Sequence, residues 1–391
     1  MILRVVINAQ LTKLAFPDGH FEQTNFSPGP FESCVEQESA RLAQRTTSLS
    51  PAAEDQNALD NLIRRVREEL ATKRLYTKVV ILVWFGRAKY TKILKPYLLR
   101  ETTAFGGVAD SIWLSMSTST EADFTIGESW VKEHPQTIQL LCSRTAKGCK
   151  AGRHDAEVWE ELLQPYPDTL FVRVDDDIVF MEKGAVAHLV AHKLFHHNPA
   201  FQLHGIALGN IVNHCQLPYL HETIGAFETN RRLGHFGYYD SSWTNSSLAY
   251  AQHISFLSNY DAGTLQKYHF PTWDMNRCAC ERGQHGLSIC NAGWYRWCMN
   301  FFVVGGLTLR DESVGVAPDK REESWISAYL PRKYGVHTEA VGRALVVHFS
   351  YGTQRKNSNE TLLNDLLTRY KTISSDAEAQ IVSSGPNKER F

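Results

Sequence analysis

The segment Lys78-Val-Val-Ile-Leu-Val-Trp-Phe85, stopped by Gly86, constrains the fold more than any other part of the chain. Every side chain after Lys78 is apolar, so the strand it predicts has no face for water and needs cover above and below. Helices that connect parallel strands supply such cover, which makes the fold class α/β. The flanking sequence agrees. Between Asn57 and Arg74, Leu59, Leu62, Ile63, Val66 and Leu70 recur at helical spacing with charges between them, predicting an amphipathic helix that feeds the strand. A helix from Tyr90 to Arg100, a break at Gly106-Gly107 and a second strand, Ser111-Ile-Trp-Leu-Ser-Met116, complete a β-α-β unit of the kind that opens nucleotide-binding folds.

A helix near Asp155 to Leu163 then leads to a third buried strand, Thr169-Leu-Phe-Val-Arg-Val174, with Asp175, Asp176 and Asp177 at its C-terminal end. Ligands of open α/β sheets bind at that edge. Further on, the pattern predicts a helix over Gly184–Phe195, a strand over Gln202–Val212 and an irregular aromatic-rich stretch to Trp297. Strands at Asn300–Val304 and Ala344–His348 and a helix at Glu360–Tyr370 close the fold. Residues 1–56 read as a poorly ordered extension, because 17–56 are rich in Ser, Glu, Gln and Pro, and residues 372–391 read as a flexible tail. A single domain is expected over 57–371.

Three adjacent carboxylates repel and raise one another's pKa unless positive charge compensates them. Oxygen ligands suit hard cations such as Mn²⁺ or Mg²⁺, which bind through one or two carboxylates together with substrate phosphates. An acidic triplet after a strand also serves as a solvated turn or a helix cap. Here the flanks Leu170-Phe-Val-Arg-Val and Ile178-Val-Phe-Met are apolar on both sides, which places the triplet against the core and favours a functional charge cluster.

Leu170 to Met181 resembles the DxD region of GT-A-type, metal-dependent glycosyltransferases, and a DDDIVF segment with an HFSYGTQR ending is similar to uncharacterised fungal and microbial members. The resemblance implies a Rossmann-like nucleotide-sugar half (57–183) and an acceptor half (184–371) around a mixed, mainly parallel sheet flanked by helices. It implies ribose or sugar contact by Asp175 and a metal held by Asp177, with Asp175 as a further ligand and Asp176 available if the register shifts by one. Asp319-Lys-Arg-Glu-Glu-Ser-Trp-Ile-Ser327 resembles the segment that carries the general base of inverting members, with Glu322 or Glu323 in that role. Acidic residues in a first helical turn also complement the helix dipole. Val347-His348-Phe-Ser-Tyr-Gly352 resembles the segment whose histidine completes the metal shell, although a lone histidine is more often simply packed. At the end of the first strand, Trp84, Phe85, Gly86 and Arg87 stand where such enzymes meet the nucleotide base and phosphate, with Trp84 as core the alternative, and Asp110 is a candidate for ribose or base contact.

The implied activity is transfer of a sugar from a UDP- or GDP-sugar to a glycan, protein or small-molecule acceptor, inverting if the acidic base holds. The alternatives are a non-catalytic carbohydrate- or metal-binding protein on the same fold, or a sugar-nucleotide pyrophosphorylase, for which Trp84-Phe-Gly-Arg-Ala-Lys89 is a poor phosphate cradle. The aromatics from Trp273 to Trp297 suit an acceptor surface or core. His188, His192 and His196 recur every four residues and would share a helix face able to bind zinc, but without the carboxylate base of a His-Glu-x-x-His motif; Cys278-x-Cys280 lacks zinc-knuckle spacing. Lys and Arg number 41 against 42 Asp and Glu, with no basic block, which argues against nucleic acid. No stretch approaches the roughly 18 apolar residues of a transmembrane segment. A complete chain is therefore expected to be soluble and cytoplasmic, and one with an upstream anchor to sit in the Golgi lumen.

Overall fold

The computed structural model describes residues 56–116, 118, 120–141, 158–159, 165–215, 217–227, 244–275, 297–310 and 322–384. Helix α1 (Gln56–Ala71) buries Leu59, Ile63, Val66 and Leu70 and delivers the chain to β1 (Lys78–Phe85), which is buried at every position after Lys78. Helix α2 (Ala88–Arg100) leads to β2 (Ser111–Met116), which pairs with β1 in parallel, so the β-α-β unit forms as its apolar runs predict. Helix α3 (Glu121–Glu133) leads to the short parallel strand β3 (Ile138–Leu140), and β4 (Thr169–Asp175) adds in parallel to the other side of β1.

The second half supplies β5 (Ile178–Met181), α4 (Ala185–Leu194), α5 (Pro199–His204), β6 (Ile206–Val212), α6 (Ser246–Asp261) and β7 (Trp273–Asp274). It ends with β8 (Phe301–Gly305), β9 (Thr338–His348), α7 (Gly352–Lys356) and α8 (Glu360–Ser384). All strands belong to one mixed sheet in the order β3-β2-β1-β4-β8-β6-β9-β5, with β7 on the side of β9. β4–β8, β8–β6 and β9–β5 are antiparallel, whereas β6–β9 and the first four strands are parallel. The α/β class and the mainly parallel sheet flanked by helices therefore stand. Among the described residues, no helix is long and apolar enough to cross a membrane.

Three boundaries differ from expectation for identifiable reasons. Gln202 lies in α5 rather than in a strand. The Asn198 side chain accepts from the Ala200 N–H and Pro199 opens the first turn, a start signal that overrides the β-prone residues behind it. The far end of α5 is closed by Lys193, whose buried ammonium donates to the carbonyls of Phe201, Leu203 and Gly205; burial pushes its pKa well down, yet three acceptors require three N–H donors. β9 begins at Thr338, ahead of Ala344, because its early residues pair with β6 and β7. The tail expected from residue 372 is helical to Ser384, and Ile373, Ala377 and Ile381 are buried while the Ser374 hydroxyl donates to the Ile93 carbonyl of α2. The extension up to residue 55, most of the Asp155–Leu163 helix, Cys278, Cys280, Cys290 and Trp294 lie outside the described residues.

Removing the chain from Ile373 onward should therefore lower stability by about 4 kcal/mol, from two buried isoleucines at roughly 2 kcal/mol each. Urea unfolding of the truncated and full chains measures the difference, and an unchanged midpoint would show that this part of α8 is not anchored.

Candidate metal centre

The sheet brings together strand ends that are far apart in sequence. β4 ends at Asp175, whose N–H donates to the carbonyl of Asn300, one residue before β8. After the Asp176-Asp177 turn, β5 pairs with the far end of β9 so that Ile178 faces His348, and the Phe349 N–H donates to the Asp177 carbonyl. The turn thus bridges β4 to β9. Beyond β9 the backbone is held by Asn213, a left-handed residue (φ 59) whose side-chain amide donates to the carbonyls of His348 and Phe349 and to Gln354. A short polar side chain tolerates that conformation better than most.

Asp175, Asp177 and His348 converge there, each offering one ligand atom within 4.8 Å of the others. Asp177 and His348 are buried, and Oδ1 of Asp177 lies 3.3 Å from Nε2 of His348 without a sound hydrogen bond to any group. Two carboxylates and an imidazole, with a buried carboxylate oxygen left orphaned, fit Mn²⁺ or Mg²⁺.

Positive charge surrounds the triplet. Arg87 pairs with Asp176 and, at 2.6 Å, with Asp177, while the Gly86 N–H donates to Asp176 at 2.9 Å. Arg355 reaches the same Asp177 oxygen at 3.3 Å, and Arg173 meets Asp175 at 2.6 Å. The Asn300 amide also donates to Asp175, and its carbonyl oxygen accepts from the Tyr351 hydroxyl, whose ring lies 4.6 Å from that of His348. Burial pushes Asp176 up to about 6 despite Arg87. It also raises Asp175, against the opposing charge of Arg173. Asp177 goes the other way: burial works to raise it, but His348, Arg87 and Arg355 together outweigh burial and hold it below the ordinary carboxylate range. Asp177 is therefore the fixed anion of the centre.

The other expected site residues divide into three groups. Gly86 and Arg87 reach the triplet directly. Trp84 and Phe85 are core: the Trp84 ring packs 5.4 Å from that of Trp159 and 5.2 Å from the Arg173 guanidinium, and Phe85 packs edge-on against Trp130 at 5.2 Å. Asp110 belongs to the opposite edge of the sheet, where its carboxylate accepts from the Val79 N–H at the start of β1, five strand positions or about 17 Å from Trp84 and its neighbour Asp175. It cannot share a ribose with Asp175. Glu322 is buried and accepts from the Trp159 indole, with Arg173 at 3.5 Å, so it is a counter-ion of Arg173 rather than an exposed carboxylate. Glu323 is only half-buried, and the Tyr351 phenol, raised first by burial, is raised further by the charges of Glu323, Asp175 and Asp177.

Arg173, Asn300, Tyr351 and Arg355 were not singled out from the sequence. Arg173 had a signal, as the one charge inside an otherwise apolar strand; Tyr351 and Arg355 belong to the segment around His348. Asn300 had none. Beside this edge a disulfide joins Cys215, after β6, to Cys298, before β8, and Tyr351 packs against it. The sequence matches no protein-family model and no curated protein.

Mn²⁺ titrated calorimetrically into the chain should bind at this centre. Asp177→Asn and His348→Ala should each weaken binding about tenfold or more, a loss of at least about 1.4 kcal/mol, and Asp110→Asn should leave it unchanged. Equal binding by the wild type and Asp177→Asn would remove the metal from this site.

Proposed function

We propose that the chain is a metal-dependent glycosyltransferase that moves a sugar from a UDP- or GDP-sugar to an acceptor hydroxyl. The observation that carries this reading is the adjacency of a hard-cation ligand set, Asp175, Asp177 and His348, to two partly exposed guanidinium groups, Arg87 and Arg355. A cation there supplies Lewis-acid compensation of a diphosphate leaving group. Arg87 and Arg355 lie within 6 Å of the Tyr90 ring, on the side of Asp177, and are positioned to turn from the carboxylates to phosphate oxygens. Asn300 and Arg173 orient Asp175 from below, so the ligand set is held by buried partners rather than by mobile ones.

The resemblance to GT-A enzymes supports the same reading through the DxD segment and its position after a β-α-β unit. Inversion would need a base beside the acceptor, and of the two glutamates Glu323 is the more exposed, whereas Glu322 is buried against Trp159 and Arg173. The Cys215–Cys298 disulfide favours an oxidising compartment such as the Golgi lumen over the cytoplasm.

Incubation with a panel of nucleotide sugars, with and without Mn²⁺, should release nucleotide from one donor only when metal is present, and Asp177→Asn should abolish the release. Binding of a sugar nucleotide without turnover by the wild type, with any acceptor class, would favour the non-catalytic carbohydrate-binding alternative.

With the donor known, Glu323→Gln should lower kcat by about 100-fold or more, with a product of inverted anomeric configuration by NMR. Glu322→Gln should act chiefly by lowering the melting temperature. Full activity in Glu323→Gln or retained configuration would eliminate the base.

A further inference from the structure

A second constellation lies at the other end of β9. Glu339 is the second residue of that strand, and His348 is nine residues further on, about 30 Å along an extended strand. The helical spacing of His188, His192 and His196 predicts one shared face, but only two of the three meet here. His188 stands a turn earlier and contributes to the charge around Glu101, while His192 and His196 point Nε2 at the same oxygen of Glu339, at 2.7 and 3.3 Å. The carboxylate missing from the helix is supplied by the sheet beneath it.

We propose that His192, His196 and Glu339 form a zinc site that pins helix α4 to strand β9. Two imidazoles and one carboxylate are the donor set of three-ligand zinc sites, with water completing the tetrahedron. All three ligand atoms lie within 4.8 Å of one another. Bonds of about 2.0 Å at tetrahedral angles separate neighbouring ligand atoms by about 3.3 Å, the spacing seen between His196 and Glu339, and the His192 contact, at 2.7 Å, opens by about 0.6 Å to match.

The ligands are held in place before any ion arrives. Phe201 is buried and stacks on the His196 ring at 4.0 Å and meets the His192 ring edge-on at 5.3 Å, while Glu339 is paired on both sides, with Ala207 of β6 and Asp274 of β7. Such support from rigid elements is what a metal site needs. Ligation through Nε2 moves the His196 ring proton to Nδ1, which accepts from the Asn198 N–H in this structure; that N–H is released to water, Asn198 being exposed.

The site is independent of the proposed transferase chemistry and is tested without an activity assay. The full chain, stripped with EDTA, is titrated with Co²⁺ and then Zn²⁺. Visible absorption bands of four-coordinate Co²⁺ are expected, bleached by Zn²⁺, together with a Zn²⁺-dependent rise in melting temperature. His192→Gln keeps a hydrogen bond to Glu339 but replaces the imidazole, and should bind Zn²⁺ about tenfold or more weakly; Asp177→Asn should retain the bands. Absence of bands from the wild type, or bands that persist in His192→Gln and vanish in Asp177→Asn, would overturn the proposal.

Discussion

Three carboxylates at the end of a buried strand can persist only if the surrounding structure answers their charge, and both halves of the chain contribute to that answer. Arg87 arrives from the turn after β1, Arg173 from within β4, His348 from the end of β9 and Arg355 from α7. These groups come from separate elements, so the centre forms only when the sheet has closed. Removing one cation would leave a buried anion partly uncompensated, which is far more costly than losing an exposed ion pair.

The sheet's topology makes this convergence possible. Parallel pairing of β1, β2 and β4 sends their C-terminal ends to one edge, and parallel pairing of β6 with β9 sends Asn213 and His348 there too. β8 runs the other way, so its beginning, marked by Asn300, reaches the same edge. A chain reversal in β8 thus adds a ligand-orienting amide to an edge otherwise built from strand ends.

Much of this was legible in the sequence where a residue's local pattern and its tertiary role coincide. β1 and β2 are apolar runs with clear stops, and their limits follow directly. Asp177 stood out because apolar flanks on both sides are incompatible with a solvated turn. The sequence says less where distant partners decide. Glu322 and Glu323 are adjacent and chemically identical, and only the position of Trp159 and Arg173 separates a buried counter-ion from a half-buried carboxylate. Asp110 follows a turn and precedes a strand, as many ligand-binding aspartates do, but it precedes the strand where the binding edge follows it. The partner of His192 and His196 was invisible because Glu339 is more than a hundred residues away and joins them only when α4 lies on β9.

The Cys215–Cys298 bridge spans a sequence separation of 83 residues with its Cα atoms 6.1 Å apart. The chain between them contains α6, whose Gln252 side-chain oxygen accepts from the Asn213 N–H and whose His253 ring bonds the Phe349 carbonyl, and β7, which pairs with β9. The bridge therefore closes a loop whose own elements brace the backbone on either side of His348, and a chimera exchanged between the two cysteines inherits the aspartate centre only if it keeps those contacts.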